Sequence, residues 1–588
     1  MTAIAEARRP RSAFLEFLAV ELAPQEGRAL AVAHMTTACV LTVVIAMVFR
    51  IPEPTYMAYI VFLISKDERT ATVTTGLGGQ LAVTLAIVLA LGLMWVDLSE
   101  PALRLPAMVL STFIAMYAVR TFALGPILYL AGFVIVMLQS VVDDVPSPEA
   151  LTHLALWLWI VLLVPVGITV VLNLLFGQSV VLLTQRTVRK VLGEMETALV
   201  ANQVHQNLPR WRELIVSMLA KQPRGERPSH RPFISAAALR RLVDALVILE
   251  AVPENCAVED RARLATYVRA CRTTLTGEHE AQGTRRSPAT ADVSAEAAHP
   301  GGNVVTPPVL AFEAALTAFQ QEIAHPSPAT PAPAHKRQLF VPDAFTNPAH
   351  WQFALKTTIA VMVVYFVYSM LDWPGMRTSI VTCFFVALGS LGETVHKLVL
   401  RISGALIGGL IAGLSIVYVL PHMTDIGQLS LLIAVVSAGA AWVATSSELL
   451  SYAGLQIAFA FFLGILQGYA PATDLTVLRD RVAGIVLGNV VMTLVFTLLW
   501  PESATSAFRA ALKSAQQAID AVRKRSGDAA EARSQTAQAL VRAHHFSLVS
   551  RFELSMLPRH SAQDPIAPQL AQVERAAGDA FVATYDIT

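Results

Sequence analysis

Charged and amide side chains inside long apolar stretches are the residues here whose types could do chemistry. Lys356 stands one turn into an apolar run, and Glu393, His396, Lys397 and Arg401 cluster between two others. A charge in hydrocarbon costs about 3 kcal/mol on insertion scales, so each is a functional candidate by default. At Lys356 a cation can draw a carboxylate into the bilayer; snorkelling of the ammonium to the interface explains it equally well. The Glu393–Arg401 cluster reads as a gate or as an ion-paired corner holding two helices, the structural role being the simpler. Arg377, Arg479 and Arg481 can grip carboxylates in a bidentate fork, or dock a partner, or be plain solvated charge. Asp372 and Glu448 are the acids placed to carry protons. Asn173, Gln456 and Asn489 can line a polar path or hydrogen-bond between helices. Tyr365, Tyr368, Phe384 and Phe385 can stack on an aromatic ring or serve as packing. Gly76, Gly78, Gly79, Gly404, Gly408 and Gly409 suit close helix approach more than substrate contact.

The elements that must position these residues follow from composition. Of 588 residues, 54% are hydrophobic and 15% charged, with a mean hydropathy of +0.54. Soluble domains carry roughly 25% charged residues. A bilayer core needs about 20 apolar residues per helix. Twelve stretches fit: 29–49, 56–64, 72–96, 105–119, 122–142 and 154–176, then 351–371, 378–391, 398–420, 426–445, 452–467 and 482–500. The second is short and is expected to extend toward Pro54 and Lys66. The fold class expected is an all-α polytopic membrane protein, with polar helical regions over 177–350 and 501–588. A net charge of +1 gives no support for nucleic-acid binding. Four cysteines without a CxxC pair suggest neither a zinc site nor a disulfide framework. Residues 1–28 lack the apolar core of a signal peptide.

Basic residues beside the spans set orientation. Arg8, Arg9, Arg11, Arg28, Lys66, Arg69, Arg120, Arg186, Arg189 and Lys190 fall on one side, and Lys336, Arg337, Lys397 and Arg401 repeat the pattern. Asp97, Glu100, Asp143, Asp144 and Glu149 fall on the other. Both termini and the middle region are therefore expected in the cytosol; Arg479 and Arg481 break the rule. The halves also echo each other. MTTACVLTVV from Met35 parallels KTTIAVMVVY from Lys356, Glu68 to Gly79 matches Glu393 to Gly404 in spacing, and YLAGF at Tyr129 echoes YAGLQ at Tyr452. An even number of spans per half makes the repeat parallel. Between the halves, helical spacing at Val188–Leu199 and Leu239–Leu249 predicts amphipathic helices. The stretches 277–307 and 325–336 read as linkers. In the tail, Phe508, Leu512, Ala515, Ile519 and Val522 trace one helical face expected to pack on the middle region.

The run from Phe340 to Gly409 holds DAFTNP, FALKTT, DWPG, GETVHK and LRISGALIGG in order. In these elements the chain resembles the fusaric acid resistance protein family, whose relatives include bacterial aromatic-acid exporters. It departs at Arg377, where a histidine is expected, and the first half has no arginine corresponding to Arg401. The resemblance implies export of aromatic carboxylic acids or related toxic compounds across the bacterial inner membrane. It also implies a periplasmic membrane-fusion adaptor and an outer-membrane channel as partners; an adaptor ring needs a symmetric base, which suggests a homodimer. No GxxxxGKS/T stretch exists, so a P-loop ATPase is excluded, and no HExxH or GxSxG supports an enzyme. The expected function is proton-driven secondary efflux, with no cofactor or metal. Its rivals are a passive organic-anion channel on a similar fold, a carrier of the major facilitator type (whose loop motif SKDERTATVTTG does not match), and a membrane scaffold or enzyme of envelope assembly.

Overall fold

The computed structural model describes residues 18, 21–23, 27–66, 68–97, 100–145, 147–222, 234–253, 256–276, 306–326, 339–387, 390–447, 450–469, 474–524, 529–553 and 566–585. Most of the amino-terminal segment, the linker stretches 277–305 and 327–336, Lys336, Arg337 and Glu448 lie outside the described residues. Among the described residues the chain is all-helical, with 20 α-helices. In order these are α1 (Arg28–Val48), α2 (Pro54–Ile64), α3 (Arg69–Asp97), α4 (Pro101–Thr121), α5 (Gly125–Gln139) and α6 (Pro148–Phe176). Then come α7 (Val180–Ala201), α8 (Val204–Lys221), α9 (Ala236–Ile248), α10 (Val258–Thr276) and α11 (Pro307–Ala324). The second apolar block holds α12 (Pro348–Met370), α13 (Thr378–Val386), α14 (Leu391–Leu414), α15 (Ile426–Ala444), α16 (Ser451–Ile465) and α17 (Thr476–Leu498). The tail holds α18 (Ala504–Lys524), α19 (Ala529–Glu553) and α20 (Ile566–Tyr585). They fall into two compact units, Met1–Ser179 with His335–Glu502 and Val180–Ala334 with Ser503–Thr588.

The first unit is the apolar one. Eight of its helices are long and apolar enough to cross a membrane. The other four are short: α2 has 11 residues, α5 has 15, α13 has 9 and α16 has 15. They occupy the second and fifth places of each six-helix half, which the duplication read from the sequence would require. At 1.5 Å per residue, α2 rises about 16 Å, half of a hydrocarbon core of about 30 Å. Contacts between the halves are reciprocal: α1 packs on α15 as α12 packs on α4, and α2 packs on α16 as α13 packs on α5.

Local sequence explains the helix ends. Pro54, Pro101, Pro148 and Pro348 each sit in a first turn, where a missing N–H costs nothing. Within DAFTNP, the Asn347 side chain caps α12 by accepting from the Ala349 amide at 3.0 Å. In DWPG, Asp372 adopts a φ of 49° and ends that helix. The span expected over 378–391 stops at Val386, because Ser390 opens α14 with a capping box to Glu393. Likewise α5 is shorter than the stretch 122–142, since Gly125 and Pro126 set its start.

The second unit packs α7–α11 and α18–α20 around one core that includes Trp211, Leu242, Phe312, Phe319, Phe508 and Phe581. At its centre Arg212, 1% exposed, pairs with Glu250 at 3.2 Å and with Glu574 of α20. Burial, opposed by the Arg212 charge and helped by the Glu574 charge, pushes the Glu250 carboxyl up to about 7. A carboxyl raised in the folded state adds stability below its usual value near 4.5, and that stability is lost as pH rises through about 7. The thermal midpoint of this unit should therefore fall between pH 5 and pH 8, and Glu250→Gln should flatten that slope in a pH series of melting curves.

Candidate functional site

A tight helix pair builds the site. Along one face of α14, Gly404, Gly408 and Ala412 meet Ala453, Ile457, Ala460 and Gly464 of α16. A Cβ on Gly404 would lie 2.7 Å from the Ala453 carbonyl oxygen, and one on Gly408 would lie 2.3 Å from that of Ile457. No such room is lacking at Gly78 or Gly79 in the first half. Small residues let membrane helices reach this distance and hold it by dispersion contacts. Gly408→Leu should force the pair apart, costing about 1–3 kcal/mol. The checks are a lower melting midpoint and weaker anion binding in the purified protein.

One turn before Gly404 on the same helix lies Arg401, 1% exposed. Its Nε donates to Thr382 Oγ1 of α13 at 3.1 Å, and its Nη1 donates to the Tyr452 hydroxyl at 2.9 Å and to Gln456 Oε1 at 3.1 Å on α16. Its Nη2 is buried with no hydrogen-bond partner, and among the described residues no carboxylate pairs with it. Gln456, also 1% exposed, leaves its Nε2 unpartnered. Lys397 lies one turn earlier on α14, with its Nζ 5.0 Å from the centre of the Tyr452 ring. The first half closes the site from the other side. Tyr59 of α2 faces Gln456, and Tyr129 of α5 lies within electrostatic range of Arg401, Tyr59 and Tyr452. Ring contacts across the halves flank these hydroxyls, Tyr59 on Phe459 at 4.2 Å and Tyr129 on Phe384 at 6.1 Å. Asn489 of α17 is buried with both amide atoms unpartnered. It stands one turn from Ile485, which packs on Ala405, so it shares the depth of Arg401.

The arrangement is an unneutralised guanidinium with a free N–H, ringed by hydroxyl and amide groups and walled by aromatic rings. With Nε and Nη1 already engaged, it offers an anion its charge and the two N–H bonds of Nη2. Among the described residues no cluster suited to a metal ion occurs.

Other singled-out residues lie elsewhere. Lys356 is 1% exposed, donates to the Trp500 carbonyl at 2.9 Å and sits 3.7 Å from Glu502, which Arg120 also meets at 3.6 Å. That is an ion-paired corner fixing α12 where the chain leaves the bundle. Arg377 pairs with Asp144, joining the halves at the opposite face, with Tyr368 beside it. Tyr365 meets Tyr368 edge to face, their ring centres 5.6 Å apart. Asp372 is exposed in its turn. Asn173 donates back to the Thr169 carbonyl of its own helix at 2.9 Å. Glu393 accepts from Ser390 Oγ at 2.8 Å, and His396 is half-buried on the first turns of α14. The sequence reading missed Tyr59, Tyr129 and Tyr452 as members of the site. Two of them, Tyr129 and Tyr452, carried the signal, since they open the YLAGF and YAGLQ stretches that echo each other.

Residues 347–495, which run from the cap of α12 into the last turn of α17, match the family model described as fusaric acid resistance protein-like. Over 174 residues the chain is 41% identical to the multidrug resistance protein MdtO of Escherichia coli O157:H7 and to that of Shigella flexneri, and 40% to that of Escherichia coli strain K12. Each match covers 29% of this chain and 26% of the relative, so the chain matches about a quarter of those proteins' length. No solved structure matches the chain. Over residues 347–495 the motif resemblance is thereby borne out: that stretch is similar to fusaric acid resistance proteins.

Proposed function

We propose that this protein is a secondary exporter of small organic anions, aromatic carboxylates and anionic drugs among them, in a bacterial inner membrane. The observation that carries the reading is Arg401: a buried guanidinium, unpaired by any described carboxylate, where the two halves meet. An uncompensated charge in a low-dielectric interior costs several kcal/mol, and that cost is removed when an anion binds. The multidrug resistance names of the relatives agree with an efflux role. With both termini in the cytosol, Glu393 and Lys397 stand at the cytosolic approach to Arg401, and the Arg377–Asp144 pair closes the periplasmic side. Proton coupling is assigned to Glu393 and His396 at that approach. A periplasmic adaptor and an outer-membrane channel complete the export route, on a dimeric base.

The test is flux of labelled benzoate in proteoliposomes under an imposed pH gradient. The proposal expects saturable, gradient-dependent movement. Flux that rises linearly with concentration and ignores the gradient would make the protein a passive channel, and no flux of any organic anion would end the transport reading.

A further inference from the structure

The second unit holds a cavity that the transport reading does not use. It opens at the seam between the middle helices and the tail, with a volume of about 110 Å³. Arg240 and Arg241 of α9 and Arg533 of α19 line it, with Asp244 below them. The aliphatic side of the lining comes from Val216 and Leu219 of α8 and Ala537 of α19. Asp244 is 4% exposed and already engaged: it accepts from the Tyr585 hydroxyl at 2.9 Å and meets Arg533 Nε at 3.1 Å. Asp244 is the one carboxylate among the lining residues and Glu322 acts on Arg241 from outside it, so two acids stand against three guanidinium groups and a local excess of positive charge remains. Arg240 is exposed and engaged by no carboxylate among the described residues.

We infer that this cavity is a binding site for a small organic monocarboxylate, separate from the path through the membrane unit. The carboxylate would sit on Arg240 and Arg533, and its carbon body would lie against Val216 and Leu219. Size supports this class. A closed cavity of about 150 Å³ admits benzene, so an open one of this volume seats a carboxylate and part of one ring, and excludes a nucleotide. The aliphatic wall argues against bare phosphate, which has no apolar face to bury. Because the site takes groups from both α9 and α19, its occupant would tie the tail to the middle helices. Binding here is a means by which cytosolic acid concentration reaches the protein outside the transport step.

The experiment uses the full chain, purified in detergent, with benzoate as the probe in isothermal titration calorimetry. Arg401→Met removes the proposed path site, so any benzoate binding left in that background reports the second unit. One site should persist there, and adding Arg240→Glu should weaken it at least tenfold. Ser534→Phe, which plugs the cavity wall without touching a charge, should do the same, and inorganic phosphate should bind at least tenfold more weakly than benzoate. Melting curves confirm that each variant is folded. Loss of all benzoate binding on Arg401→Met alone would overturn the inference. So would binding that ignores both Arg240→Glu and Ser534→Phe, or phosphate binding as tight as benzoate. Benzoate binding of this second kind can succeed while proteoliposome flux fails, so the two readings stand or fall apart.

Discussion

Replacing Arg401 with methionine should abolish benzoate transport while leaving the protein as stable as before, or more so. The two effects come from one fact. Arg401 has hydrogen bonds to Thr382, Tyr452 and Gln456 but no described carboxylate, so removing it strands no opposing charge. Exchanging a buried ionic group for a well-packed apolar one of similar volume is commonly neutral or stabilising by about 1–4 kcal/mol. For the bound anion the loss is large. Two charge-assisted hydrogen bonds at about 1.5–3 kcal/mol each correspond to roughly a 100-fold to 20,000-fold loss of affinity. Arg401→Lys retains the charge without the fixed planar donors of Nη2 and should fall between, near tenfold. Flux assays paired with melting curves read both effects. A methionine variant that unfolds would mean the arginine is a structural strut; one that transports normally would move the anion path elsewhere.

The second large effect is expected in the other unit, and its sign is opposite. Arg212→Met should destabilise by about 3–5 kcal/mol, because Glu250 and Glu574 would be left facing each other without a cation. Since Glu574 belongs to α20, the first consequence is release of that helix, seen as early cleavage within α20 in limited proteolysis. Changing Glu250 and Glu574 to leucine alongside Arg212→Met should recover most of the loss. The two buried arginines can thus be told apart by measurement: one has its counter-charges built in, and the other waits for one.

Much of this was legible in residue order. The twelve apolar stretches became twelve helices, and the DAFTNP, DWPG and GETVHK elements turned out to be a cap with a first-turn proline, a positive-φ stop and a capping box. Those are local devices, set by residues within four positions of one another. Arg401 was visible as a charge, but its surroundings were not, because Thr382, Tyr452, Gln456, Tyr59 and Tyr129 lie on four other helices. Hydropathy also gave no way to separate Lys356 from Arg401. Both are cations in apolar runs, and only the chain's path past Pro501 brings Glu502 back to the first of them. The short helices were half read: α2 was seen to be short, but the matching shortness at both the second and fifth places is a property of the assembled repeat.

Those four short helices bear on the energetics of export. Helices of 9–15 residues rise about 14–22 Å against a hydrocarbon core of about 30 Å, so vestibules that let water reach their ends would concentrate the membrane voltage across a thin septum. An anion leaving an electrically negative cytosol gains about 2.3 kcal/mol per 100 mV for each charge that crosses this septum. If Arg401 lies within it, the resting potential alone pulls a monoanion outward, and valinomycin-clamped vesicles should show faster flux as the interior is made more negative.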